Sequence, residues 1–173
     1  MNPSYLRLHR PLEDALARYH AWIGVPEVAP RREVAEGEAI DLALDDDQWK
    51  GLAVYVFPSG TWTVFDELSG GLGGRPAADW MRLADGGDLI YASYNDAIGF
   101  GEAVYIEGGK LVRHFVQDDD DPSAKVDVGR LPEEAQEPWS DWTDLAGWVD
   151  NDVDELGSRD RGLLWIHAVP PGT

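Results

Sequence analysis

The sequence contains no cysteine and few basic residues, and these two shortages limit the classes of protein that it can encode. Without cysteine, the chain forms neither disulfide bonds nor thiolate zinc sites. Its 14 Lys and Arg residues stand against 33 Asp and Glu residues, which gives a formal charge of −19. Such a charge repels phosphate backbones and anionic lipid surfaces, so we expect neither nucleic acid nor a membrane among the partners.

A long apolar run is also missing from the start of the sequence. The opening residues, MNPSYLRLHRP, resemble neither a signal peptide nor a membrane span, and we therefore expect a cytoplasmic protein. The hydrophobic fraction of 43% and the eight tryptophans are nonetheless sufficient for a packed core, and 173 residues fit one domain. The acidity indicates a basic partner, a role in solubility alone, or an organism whose whole proteome is acidic.

Motifs for nucleotides, metals and hydrolytic catalysis are missing or incomplete. Residues 69–74, SGGLGG, lack the lysine and hydroxyl of a phosphate loop and the spacing of a dinucleotide fingerprint, so they predict a flexible loop. Asp150, Asp152 and Asp154 match the start of a calcium-binding EF-hand loop, but the glycine and the final glutamate of that motif are replaced. The sequence therefore predicts no catalytic residue, no cofactor and no metal.

The order of helical and strand patterns predicts an α+β fold in a single domain, residues 1–173. Helices are expected at residues 11–23, 76–84 and 141–151, and the aspartates near the end of the last one are expected in a solvated turn that follows it. Residues 133–139 are expected to form an acidic linker bracketed by prolines, and residues 170–173 a frayed tail. Strands are expected at residues 38–44, 52–57, 61–68, 89–94, 103–107, 110–116, 125–131 and 163–169. Gly108 and Gly109 suit a two-residue hairpin turn between the fifth and sixth of these strands. We expect a mostly antiparallel sheet of about five to seven strands with the helices packed on one face.

Candidate partner-binding residues are acids in turns and aromatic residues in loops. Six tryptophans lie in predicted elements and are assigned to the core, whereas Trp49 and Trp139 lie in loops beside acid and are candidates for exposed anchors. Asn95, Asp96 and Glu102 form either an exposed polar cluster or turns that bond to their own backbone, and turn chemistry favours the second. The acidic candidates are Asp45, Asp46, Asp47, Asp96, Glu102, Asp118, Asp119, Asp120 and Asp121.

The turn at residues 68–74, the run YNDAIGFGEAVYIEGGKLVRHF at residues 94–115 and the acid that follows it resemble the immunity proteins of bacterial polymorphic-toxin and contact-dependent inhibition systems. The resemblance covers about half of the chain. It implies a stoichiometric inhibitor that binds one cognate toxin and blocks or distorts its active site. Many such toxins are basic because they attack nucleic acid, and an acidic surface speeds the encounter with them.

Two alternatives to an immunity protein stay open. The first is a small hydrolase that uses paired carboxylates or a bound metal, which predicts a deep pocket with at least two perturbed carboxylates. The second is an acidic regulatory or scaffold domain.

Overall fold

One antiparallel sheet of nine strands forms the centre of the molecule. The structure is a computed structural model that describes residues 2–157 and 159–169. The strands of these residues are β1 (Ser4–Leu8), β2 (Arg32–Val34), β3 (Leu44–Asp45), β4 (Gln48–Trp49), β5 (Leu52–Ser59), β6 (Trp62–Glu67), β7 (Leu89–Asn95), β8 (Phe100–Glu107), β9 (Lys110–Asp118), β10 (Val126–Gly129) and β11 (Gly162–His167). The sheet order is β10-β9-β8-β7-β1-β6-β5-β11-β2, and β3 pairs with β4 in a separate hairpin.

Four α-helices cover the sheet in the described part of the chain: α1 (Leu12–Ile23), α2 (Glu36–Ala43), α3 (Ala77–Ala84) and α4 (Trp142–Asp154). Two short 3₁₀ helices, Pro122–Ala124 and Pro132–Ala135, flank β10. α1 ends where Gly24 takes a left-handed conformation with φ of 69°. This conformation suits glycine because it lacks the Cβ atom that crowds the backbone there.

The helices pack on both faces of the sheet, and two apolar cores result. α1 and α3 cover one face, whereas α2 and α4 cover the other. β5 contributes to both cores, because Val54 and Val56 lie on the first face while Tyr55 and Phe57 lie on the second. Side chains alternate between the two faces of a strand, so a strand buried on both sides is a continuous apolar run in the sequence.

The α+β class and the antiparallel pairing are confirmed, and so is the β8–β9 hairpin, in which Gly108 and Gly109 have φ of 54° and 72°. The expected strand number was too low, and the placement of all helices on one face was wrong. β1 and β2 account for the additional strands. They have five and three residues, and such short segments carry little periodic signal.

The prediction of a strand at residues 38–44 was also wrong, because these residues lie in α2 and the first residue of β3. The alternation of Ile40, Leu42 and Leu44 indicated a strand. The structure instead buries Ala39 and Ala43, which are four residues apart and therefore share one face of a helix. Small buried alanines gave a weaker apolar signal than the larger side chains between them.

The remaining boundaries differ from the predicted ones by a few residues. The last helix begins one residue later and continues to Asp154, so the three aspartates of the incomplete calcium motif lie within α4 rather than in a turn after it. The last strand covers Gly162–His167, and the expected C-terminal tail, residues 170–173, lies outside the described residues.

Candidate functional site

Two of the acidic turns predicted from the sequence meet at one end of the sheet. Phe100 at the start of β8 pairs with Asp118 at the end of β9, and the Asp119 N–H donates to the carbonyl of Gly99 at 3.1 Å. The β7–β8 turn, which carries exposed Asp96, therefore lies beside residues 118–121. Asp118 is half-buried and the three aspartates after it are exposed.

The β3–β4 hairpin brings further acid to the same end. Asp46 and Asp47 form its turn with φ of 45° and 62°, a left-handed conformation that aspartate tolerates better than most residues. Trp49 in β4 lines the same cleft as Asn95 and Ile98 of the β7–β8 turn. We name the three turns together, residues 45–47, 96 and 118–121, the acidic end.

Turn formation accounts for part of the aspartate block. Asp121 accepts a hydrogen bond from the Ser123 N–H at 3.1 Å and caps the 3₁₀ helix Pro122–Ala124. Asp119 accepts from the indole N–H of Trp142 at 3.1 Å and so connects β9 to α4. Both carboxylates nevertheless remain exposed, so their charge still contributes to the field at this end.

A cleft of about 610 Å³ opens beside the acidic end. The half-buried side chains of Trp49, Tyr94 and Phe100 line it together with Ile98, which is 48% exposed. The glycine-rich loop, residues 69–74, provides much of the remaining wall. The cleft is therefore an aromatic pocket with acid near its mouth.

A row of polar side chains crosses the sheet below the glycine-rich loop. Ser4, Ser93 and Glu102 occupy paired positions on β1, β7 and β8, and the Ser4 hydroxyl donates to Glu67 Oε2 on β6 at 2.6 Å. Glu67, Ser4, Ser93 and Tyr91 line the cleft. Burial raises the pKa of Glu67, which is 5% exposed, and hydrogen bonds from Ser4, the Leu72 N–H and Tyr91 oppose that shift in part.

The two buried carboxylates of this row hold the glycine-rich loop in place. The Leu72 N–H donates to Glu67 Oε1 and the Gly74 N–H donates to Glu102 Oε2, both at 2.6 Å. Gly73 lies so close to the sheet that a Cβ atom there would be 2.8 Å from Glu102 Oε2. The loop is thus anchored rather than free, and two of its N–H groups are occupied by carboxylates.

Glu102 and Trp139 do not lie on the exposed surface, and the expectation that they do was wrong. Glu102 is fully buried below the loop. Trp139 is 7% exposed and packs edge to face against Phe115, with ring centroids 5.7 Å apart. Residues 133–139 were interpreted as a linker, but Glu134 within them is buried and pairs with Arg113 of β9, which brings the segment onto the sheet.

Sequence reasoning missed Ser4, Glu67, Tyr91 and Ser93 as residues of the cleft. Strand alternation contained a usable signal for Glu67, because Glu67 follows Phe65 by two residues and must share its buried face. A carboxylate on an otherwise apolar face needs hydrogen-bond donors, and the glycine-rich loop that follows β6 supplies one. The serines carried no comparable signal.

The two carboxylates of the row do not face one shared cavity. Glu67 lines the cleft, whereas Glu102 lies behind Gly73 and Gly74. Among residues 2–157 and 159–169, no group of three or more His, Cys, Asp or Glu side chains is arranged to hold a metal ion. In the same part of the chain, none of the helices combines the length and apolar character needed to cross a membrane.

Comparisons with protein-family models, with curated proteins and with solved structures found no match to this chain.

Proposed function

We propose that this protein is an immunity-type protein that neutralises one basic protein toxin by stoichiometric binding through the acidic end. The observation that supports this proposal is the convergence of three acidic turns around one aromatic cleft. Acidic residues that served solubility alone would not need to cluster beside an aromatic cleft. The resemblance of residues 68–74 and 94–115 to immunity proteins agrees with this function.

Electrostatic attraction supplies the first step of binding. The formal charge of −19 creates a field that draws a basic partner toward the molecule, and such steering raises association rates by about 10- to 1,000-fold at low salt. Because Asp46, Asp47, Asp96 and Asp120 are exposed at one end, they also orient the approaching partner.

Apolar contacts at the cleft supply the second step. Charges at the rim of an interface influence the association rate more than the affinity, which depends on a few buried anchor contacts. Ile98 is 48% exposed and lies beside half-buried Trp49 in the cleft lining. A partner side chain that enters the cleft covers both residues and stabilises the encounter complex.

Co-expression tests the function directly. Neighbouring open reading frames are the first source of candidate toxins. Cells that produce the cognate toxin should grow when this protein is present and stop growing when it is absent. Isothermal titration of an inactive form of that toxin should give a 1:1 complex. Growth arrest despite abundant folded protein, or the lack of a complex, would contradict the proposal.

A pair of charge-matched variants tests the role of the acidic end. Each triple variant removes three negative charges. The first variant removes them from the acidic end, and the second removes them from the opposite end of the sheet, where the β8–β9 hairpin lies. The variants are Asp46→Asn, Asp47→Asn and Asp96→Asn in the first, and Glu13→Gln, Glu107→Gln and Glu133→Gln in the second. The first should slow association about tenfold at low ionic strength, and the second less than about twofold.

Salt provides the control for this experiment. At about 1 M salt the Debye length falls to about 3 Å, so both triple variants should associate at the rate of the unaltered protein. Equal slowing by the two variants at low salt would mean that total charge, rather than its position at the acidic end, governs the encounter.

A further inference from the structure

We propose that the cleft binds a cationic side chain, arginine in preference to lysine, and that Glu67 is the carboxylate that receives it. This inference rests on the proposed function in assigning the side chain to a basic segment of the toxin. The cleft itself is a property of this chain and can be probed without the toxin.

The charge within the cleft is the first argument. Among the described residues that line it, Glu67 is the one with a formal charge. Its hydrogen-bond donors among the described residues are neutral: the Ser4 hydroxyl and the Leu72 N–H at 2.6 Å, and the Tyr91 hydroxyl at 3.5 Å. A cation therefore binds more strongly to this buried carboxylate than to a carboxylate in water, because less water screens the attraction between the two charges.

The capacity of the carboxylate is the second argument. An ionised carboxylate offers about four lone-pair positions. The short bonds from Ser4 and Leu72 use one position on Oε2 and one on Oε1, and the 3.5 Å contact from the Tyr91 hydroxyl takes the second position on Oε2. A position on Oε1 therefore remains, and the long Tyr91 contact on Oε2 can be displaced because that hydroxyl has a nearer acceptor in Ser93 Oγ at 3.2 Å. The parallel N–H groups of a guanidinium, which bind carboxylates in a two-pronged manner, can then reach both oxygens. An ammonium group can satisfy one such position at a time.

The walls of the cleft also favour a guanidinium. Trp49, Tyr94 and Phe100 line it, and a planar guanidinium stacks on aromatic rings while its edge donates hydrogen bonds. The volume of about 610 Å³ lies in the usual range for pockets that enclose small molecules, so an arginine and the backbone next to it can enter. Asp96 near the mouth attracts the same charge.

An anionic occupant does not suit this arrangement. The Leu72 and Gly74 N–H groups, which would otherwise attract a phosphate, donate to the Glu67 and Glu102 carboxylates. A phosphate in the cleft would meet the charge of Glu67 without these donors. The chemistry of the recess therefore selects cations.

The test uses two small probes that have almost the same shape. Nα-acetyl-argininamide carries the guanidinium, and Nα-acetyl-citrullinamide replaces it with a neutral urea group. A third probe, Nα-acetyl-lysinamide, carries an ammonium group and should bind more weakly than the arginine probe. Titration of the arginine probe, followed by NMR, should shift the backbone amide signals of residues 70–74 and 94–98. The citrulline probe should bind at least about tenfold more weakly, because a charge-assisted bond is replaced by a neutral one.

The variant Glu67→Gln identifies the receiving group. Its amide oxygen can still accept from the Leu72 N–H, so the glycine-rich loop should stay in place while the charge is lost. We expect it to weaken the arginine probe at least about tenfold. The control Glu107→Gln removes the same charge at the exposed opposite end of β8 and should leave binding unchanged.

The outcomes separate this inference from the proposed function. The inference would be overturned if the arginine probe bound no better than the citrulline or the lysine probe, or if folded Glu67→Gln bound the arginine probe as the unaltered protein does, even if the toxin is still neutralised. Loss of toxin neutralisation with intact arginine selectivity would instead contradict the proposed function and leave the cation site in place. Amide spectra of the free variants show whether each is folded.

Discussion

The buried ion pair between Arg113 and Glu134 provides the strongest prediction for stability. The exposed fractions of the two residues are 0% and 1%, and the guanidinium donates to both carboxylate oxygens at 2.9 Å. Arg113 also donates to Asp127 at 2.7 Å and lies 5.1 Å from the centroid of the Trp139 ring. The pair therefore attaches the segment that follows β10 to the sheet.

Glu134→Gln removes the charge and keeps the size of the side chain. Breaking a buried pair from one side costs about 3–5 kcal/mol, because the remaining charge loses its buried partner. Asp127 stays 2.7 Å from Arg113 and still balances part of its charge, so the loss should lie toward the lower end of this range. For a chain of this length, 1 kcal/mol corresponds to about 2–4 °C, so the melting temperature should fall by about 6–20 °C. Urea unfolding followed by tryptophan fluorescence and by circular dichroism would measure the loss of free energy.

An exposed pair in the same protein provides the control. Arg161 and Glu33 are 2.8 Å apart, and their side chains are 68% and 63% exposed. Glu33→Gln should cost less than about 1 kcal/mol, because water screens such pairs. A loss below about 1 kcal/mol for Glu134→Gln, or equal losses for both variants, would refute the reasoning that burial makes this pair important.

Further predictions concern two glycines and the dependence of stability on pH. Gly73→Ala should destabilise the protein by about 1–3 kcal/mol, because its methyl group would lie 2.8 Å from a carboxylate oxygen of Glu102. Gly147 on α4 faces open space, so Gly147→Ala should stabilise the protein by up to about 1 kcal/mol. Urea unfolding measures both changes. Burial, and to a smaller extent the charge of His20, lowers the pKa of His167 from 6.5 to about 4. The free energy of unfolding should therefore fall by about 3 kcal/mol as the pH drops from 6.5 toward 4, because the unfolded state binds the proton more readily. His167→Gln should flatten this decline. Burial raises the pKa of Asp66 to about 6, which stabilises the fold as the pH falls from 6 toward 4, so Asp66→Asn should steepen the net decline.

Simple controls decide these predictions. Equal effects of the two alanine variants would contradict the close approach of the glycine-rich loop to the sheet. The midpoint of urea unfolding can be measured against pH for the unaltered protein and for His167→Gln. Identical profiles would contradict the assignment of the stability lost in acid to the His167 imidazole.

Strong local patterns were sufficient to predict much of the fold. The β8–β9 hairpin and α1 each combine a clear period with glycines at their ends, and both have close to the predicted bounds. The arrangement of helices on two faces depends on which elements meet in three dimensions. The fully apolar run of β5 contained that information, since a strand exposed on one side would alternate.

The candidate site was predictable where its residues are exposed. Asp46, Asp47 and Asp96 were identified because charged turn residues stay in water. Glu102 and Trp139 were misplaced because their partners, Gly74 and Arg113, are distant in the sequence and become neighbours only on folding. The cleft joins β1, β6 and β7, and local reasoning has no means to bring these segments together.

The central position of β1 has a consequence for how the chain assembles. β1 lies in the middle of the nine strands, with β7 on one side and β6 on the other. Four strands lie on each side of β1, so this short strand joins the two halves of the sheet. During synthesis β1 can pair with β6 first, and it gains its second neighbour only when β7 has been made as far as Ser93. A protein that lost residues 4–8 would leave the backbone edges of β6 and β7 unpaired in the middle of the sheet.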